Sequence, residues 1–169
     1  MGLGIANGAR VATLLGVVLL VACGSKGSPA APPPVSETQF TARVDGVAWT
    51  PARAFVSSFA GNTHISAADA SVTRLLSFTF SGPAKAGIHK IEYIEDLPVA
   101  VTYFEGAPNG PGWTSFAPNA RGEVNLTSVT ERSVAGTFSV VLAPLQSTTP
   151  GMKTLEGTFN IARLGLGTL

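Results

Sequence analysis

From about Thr38 onward, apolar and polar residues alternate. Phe40, Ala42 and Val44 alternate with Thr41 and Arg43, and Leu76, Phe78 and Phe80 with Leu75, Ser77 and Thr79. The pattern returns as Val134, Gly136, Phe138, Val140 and Leu142, and again as Leu155, Gly157, Phe159 and Ile161. Successive side chains of a strand point to opposite faces, so this period of two predicts strands with one buried face. No window after the amino terminus carries a 3.6-residue stripe, and Gly or Pro interrupts the chain at roughly ten-residue intervals. Strands are predicted near 39–44, 47–50, 53–59, 63–68, 73–80, 87–93, 99–104, 123–129, 134–143 and 154–164. Asp45-Gly46 between two such runs predicts a two-residue hairpin turn, because both residues tolerate positive φ. Gly61-Asn62 predicts another. Gly136-Thr137-Phe138 and Gly157-Thr158-Phe159 repeat as two neighbouring antiparallel strands would, joined through the Pro144–Gly151 segment, with the glycines under large neighbours or at a bulge. The expected fold is all-β, a single antiparallel β-sandwich or flattened barrel of about 8–10 strands over residues 38–169. The expected core draws on Phe40, Val44, Trp49, Phe78, Phe80, Phe138, Val140, Phe159 and Ile161.

The first 37 residues follow a different logic. Arg10 precedes an unbroken apolar stretch, Val11 to Ala22, of a dozen residues. A membrane-spanning helix needs about 20, whereas a signal peptide needs about 7–15 behind a positive start, so residues 1–22 read as a signal peptide. Leu20-Val21-Ala22-Cys23 resembles the bacterial lipobox, in which the Cys is lipidated and becomes the mature amino terminus. Cys23 is the only Cys among 169 residues. Lipidation there leaves the mature chain no disulfide and no thiolate. Residues 23–37 continue with Gly, Ser, Pro and Ala, too little apolar surface to order, and read as a tether. Gly24 and Ser25 stand where lipoproteins kept at the inner membrane often carry Asp, which favours an outer-membrane destination.

Phe40-Thr41-Ala42-Arg43-Val44-Asp45-Gly46-Val47-Ala48-Trp49, Gly87-Ile88-His89-Lys90-Ile91, Gly122-Glu123-Val124-Asn125-Leu126 and Val134-Ala135-Gly136-Thr137-Phe138-Ser139 together resemble a family of uncharacterised bacterial lipoproteins. Its members show a lipobox, an FTAxVDGxxW opening, a GxYxI strand and a closing GTF…GxF pair. The resemblance implies the fold and the surface location. It implies no activity.

Composition narrows the function further. Charged residues make up 12% of the chain, against about 25% in an average soluble domain, and the net charge is +1. Such a chain has no basic field for nucleic acid, which is excluded as a partner. His64 and His89 lie on separate predicted strands without a companion ligand at metal spacing, and no metal or other cofactor is expected. No nucleophile elbow or acid–base pair appears, so the chain is not read as an enzyme. Glu92, Glu95 and Asp96 read as a solvated turn ahead of Pro98. The 18-residue stretch Glu105–Gly122 carries Trp113 and Phe116 and is long for a connection. These two aromatics either contact a ligand or partner, or fold back to plug the sandwich end as an extra short strand. The expected protein is a lipid-anchored envelope lipoprotein, bound to the membrane through Cys23. Its domain acts as a non-catalytic binding module for a glycan, a small apolar ligand or an envelope protein, or else as a structural accessory working through protein contacts.

Overall fold

In a computed structural model of the chain, the described residues are 38–92, 97–106 and 110–163. Residues 1–22, read as a signal peptide, Cys23, residues 24–37, read as a tether, and Glu95 and Asp96 lie outside them. Among the described residues the chain is entirely strand and turn. Its strands are β1 (Gln39–Val44), β2 (Val47–Trp49), β3 (Arg53–Phe59), β4 (Asn62–Ala68), β5 (Arg74–Phe80), β6 (Gly87–Ile91), β7 (Val99–Glu105), β8 (Gly112–Thr114), β9 (Arg121–Val129), β10 (Ser133–Pro144) and β11 (Lys153–Ala162). All pairings are antiparallel. Ten of the strands stand where alternation predicts them. The eleventh, β8, is the short strand inside the Glu105–Gly122 stretch.

One curled sheet runs β2-β1-β11-β10-β8-β7-β5-β4-β3, with β9 and β6 branching from β10. The corner is β10, a 12-residue strand. It pairs with β11 and β9 along most of its length, then passes to β8 through Ala143↔Thr114 and Pro144↔Trp113. This divides the barrel-like fold into wall A (β2-β1-β11-β10-β9-β6) and wall B (β3-β4-β5-β7-β8). A register shift at Ala135/Gly136 leaves Thr127 as the extra residue of a bulge, which adds local twist near the start of β10, at the end away from the corner.

Between the walls lies the core. The rings of Phe40, Phe78, Phe138 and Phe159 form one cluster, with Phe78 and Phe138 centroids 5.1 Å apart. Trp49, Tyr103 and Trp113 extend it toward one end, at 6.0 and 5.8 Å. Every residue expected in the core is buried. Burying one such side chain stabilises by roughly 1.5–3 kcal/mol, so this aromatic layer carries much of the fold.

The repeated Gly-Thr-Phe triplets pair with each other, Gly136↔Phe159, Thr137↔Thr158 and Phe138↔Gly157. Each Phe ring lies over the glycine of the other strand. A Cβ on Gly157 would come within 2.7 Å of the Phe138 ring, and one on Gly136 within 2.9 Å of the Phe159 ring. The glycines are therefore the sockets that let two large rings share adjacent strands. Asp45 and Gly46, at φ 48° and 80°, form the predicted turn. The second turn is Ala60-Gly61, at φ 50° and 81°, one residue earlier than Gly61-Asn62, because Phe59 pairs directly with Asn62.

Candidate functional site

Wall A presents its polar side outward. Strand register arranges these side chains in rows that cross the wall. One row runs Lys90–Glu123–Ser139–Glu156–Arg43–Ala48 over β6, β9, β10, β11, β1 and β2. The next runs Ile88–Asn125–Thr137–Thr158–Thr41. The two rows line an open depression of about 590 Å³ bounded by Arg43, Thr50, Glu123 and Thr158. A second depression of about 420 Å³, between Lys90, Arg121 and Glu123, shares Glu123 and Ser139 with the first. Together they form one trough across the wall.

The chemistry of the trough follows from its rows. Thr41 and Thr158 hydroxyls lie 3.0 Å apart and bond to each other. Arg43 Nη1 donates to the Gly46 carbonyl at 3.1 Å, which holds the guanidinium along the rim. Among the described residues the ion pairs run from Lys153 to Asp45 and Glu105, so neither Glu123 nor Glu156 is engaged in one. Glu123 and Glu156 flank Ser139 from the strands on either side, two strand spacings or roughly 10 Å apart. The trough thus offers two carboxylate acceptors, several hydroxyls and cations at its ends, over a floor of sheet.

Trp113 and Phe116, expected together either as contact residues or as a plug, are separated by the structure. Trp113 is 1% exposed and lies on β8, paired with Tyr103. Its Nε1–H donates to the Gly151 carbonyl at 3.0 Å, and Lys153 Nζ sits 4.3 Å from its ring centre. It is a plug, because its register opposite Tyr103 puts the two side chains on the same inward face. Trp113 therefore presents no ring surface to a ligand. Phe116, three residues on and past the strand, is 59% exposed and stays available to a partner.

Lys153 closes the same end of the domain. Its ammonium lies 3.0 Å from Asp45 and 3.4 Å from Glu105, whose other oxygen accepts from Tyr103 Oη at 2.9 Å. Burial, with the Glu105 carboxylate beside it, pushes the Tyr103 phenol well above its ordinary range. Burial works against the charge on Asp45, but the Thr154 amide and Lys153 outweigh it and hold that carboxyl below its usual value of 3.8. This cluster is a structural clasp with its members paired.

The histidines do not meet. His64 Nδ1 lies 3.2 Å from the Thr79 hydroxyl, while His89 Nε2 bonds to the Lys85 carbonyl at 2.8 Å and its ring packs edge-on against Phe80. Among the described residues no three His, Cys, Asp or Glu side chains gather as metal ligands. Cys23 lies outside the described residues.

Reading along the chain misses the trough residues, since Arg43, Glu123, Ser139 and Glu156 each look like an ordinary solvent-side position. The one usable signal is the Thr shared by the two Gly-Thr-Phe triplets. Their pairing places Thr137 and Thr158 side by side on the outer face. No protein-family model, curated protein or solved structure matches the chain.

Proposed function

We propose that this chain is an exported lipoprotein, anchored through Cys23 in the outer membrane. In this reading its β domain is a non-catalytic binding module, and the trough on wall A takes a polyhydroxylated ligand, a glycan of the cell envelope. The observation that carries the ligand class is the row Glu123–Ser139–Glu156 beside Thr137, Thr158 and Thr41. Carboxylates accept charge-assisted hydrogen bonds from sugar hydroxyls, and Ser and Thr hydroxyls both donate and accept. A small apolar ligand fits this lining poorly, because it would strip water from two carboxylates without replacing their bonds. The charge-neutral domain adds no long-range field, which suits an uncharged or weakly charged saccharide. The signal peptide, the lipobox and the resemblance to uncharacterised lipoproteins support the location.

Two measurements test the parts separately. Cys23→Ser should move the protein from the membrane pellet to the soluble fraction, since stable anchoring rests on acyl chains worth about 0.8 kcal/mol per buried CH₂. If the variant pellets as the parent does, the anchor is wrong. For the ligand, the protein is titrated with soluble envelope polysaccharide and with peptidoglycan fragments. Glu123→Gln with Glu156→Gln should weaken binding about tenfold or more, equivalent to about 1.4 kcal/mol, at an unchanged melting temperature. Absence of saturable binding by the parent would sink the glycan reading. The accessory alternative, contact with another envelope protein, is favoured by the exposed ring of Phe116.

A further inference from the structure

We infer that the free edge of β3 is the contact between two copies of this chain, paired antiparallel about a two-fold axis at Ser57. Among the described residues the strand ends the sheet, with β4 as its one ladder partner. The turn at Ala60-Gly61 closes with Phe59 opposite Asn62, so the backbone groups of Phe59 point toward β4. Those of Ser57, Phe55 and Arg53 do the same, two residues apart. The N–H and C=O groups of Ala54, Val56 and Ser58 therefore point to the open side, a row of unsatisfied donors and acceptors.

Natural edges are protected by brevity, charge, proline or bulges. The other two sheet edges follow that rule. β2 has 3 residues, and β6 has 5 and carries Lys90. β3 is less protected: it has 7 residues, its one charge, Arg53, stands at its very start, Ala54-Phe55-Val56-Ser57-Ser58-Phe59 has no charge and no proline, and Phe59 and Phe55 are 76% and 42% exposed. An unprotected edge with exposed rings is a pairing template.

The sequence of the strand specifies the partner. Phe55 and Phe59 stand symmetrically about Ser57, as do Val56 and Ser58, and a two-fold contact requires such self-complementarity. With Ser57 opposite the second copy's Ser57, each Phe55 faces the other copy's Phe59. These pairs are non-hydrogen-bonded ones, in which opposed Cβ atoms come within about 4.5–5.5 Å. Val56 and Ser58, whose backbone groups point outward, then exchange the ladder hydrogen bonds. Arg53, the only charge on β3, falls opposite the second copy's Gly61 and meets no like charge. The pairing closes after two copies because it consumes the β3 edge of each, leaving the short β2 and β6 edges.

The test uses the full chain carrying Cys23→Ser, so that an introduced cysteine is the only thiol. Ser57→Cys sits at the centre of the proposed pairing, where Cα and Cβ spacings suit a disulfide. Under mild oxidation it should yield a covalent dimer about tenfold or more faster than Ser71→Cys, an exposed turn position, because pairing raises the local thiol concentration. Sedimentation equilibrium of the Cys23→Ser chain should return twice the chain mass. Ser58→Pro removes an outward N–H and leaves the β4 ladder intact, so it should return the single-chain mass at an unchanged far-ultraviolet spectrum. Equal cross-linking at Ser57 and Ser71, a single-chain mass for the Cys23→Ser chain, open-ended assembly beyond two copies, or a Ser58→Pro dimer would each overturn the inference.

Discussion

Trp113 and Phe116 are separated by two residues and have opposite fates, and the difference is measurable. Trp113→Ala removes a ring packed 5.8 Å from Tyr103, the Nε1–H bond to Gly151 and the surface under the Lys153 ammonium. Truncating a buried aromatic costs about 3–5 kcal/mol, so a large fall in the urea midpoint is expected. Phe116→Ala, at an exposed position, should stay within about 0.5 kcal/mol of the parent in the same titration. Equal effects would mean that the two rings share one environment. Asp45 makes the second residue-scale prediction. Its carboxyl is held below the ordinary 3.8, so the stability it contributes is complete well above pH 3.8. That contribution is lost as pH falls through the lower folded value. Asp45→Asn should therefore lower the melting temperature at neutral pH and flatten its decline in acid. A variant whose acid decline parallels the parent's would show that the clasp with Lys153 and the Thr154 amide contributes nothing.

At the scale of elements, the paired Gly-Thr-Phe triplets explain why β10 and β11 carry glycine at inward positions. Gly157→Val would drive a branched side chain into the Phe138 ring and the Thr41 carbonyl. Overpacking of this kind costs typically about 1–3 kcal/mol, whereas Thr158→Val next to it, on the exposed face, should cost under about 0.5. Thermal denaturation of the two variants side by side distinguishes a socket from a tolerant strand position. The same triplets show why so much of the fold is legible in sequence. A half-buried strand leaves one apolar residue in every two, and Phe78, Phe138 and Phe159 keep that beat. β8 is legible only as one of two alternatives, because three residues cannot establish a period and Gly112-Trp113-Thr114 lies among prolines and glycines that read as loop. Its existence depends on register with Thr102–Phe104, which is non-local information. The turn at Ala60-Gly61 was displaced by one residue for a related reason. Phe59 is exposed, so hydrophobicity does not mark the end of β3, and pairing with Asn62 decides it.

For the whole molecule, order along the chain and order in space diverge most at β1. Thr41 and Thr158, 117 positions apart, share a hydrogen bond, and Phe40 stacks on Phe159 at 5.9 Å. The trough on wall A is assembled by the same closure, since β1, β9, β10 and β11 all contribute to it. No local window can contain such a site, which is why Arg43, Glu123, Ser139 and Glu156 give no sign of it in sequence. Closure also governs folding. Contacts of long sequence separation demand loop-closure entropy before they return any packing, so all-β domains of this type refold in roughly milliseconds to seconds. β11 has a particular place here, because it lies between β1 and β10, and without it β1 and β2 have no wall to join. A chain ending at Gly151 would lose Leu155, Phe159 and Ile161 from the core and expose Phe40 and Trp49. At about 1.5–3 kcal/mol for each of these five side chains, the loss is comparable with the 5–15 kcal/mol by which domains are ordinarily stable. The expected outcome is a chain without a cooperative urea transition and with solvent-exposed tryptophan fluorescence. A sharp transition in the truncated chain would mean that wall B and the β9–β10 hairpin form a core of their own.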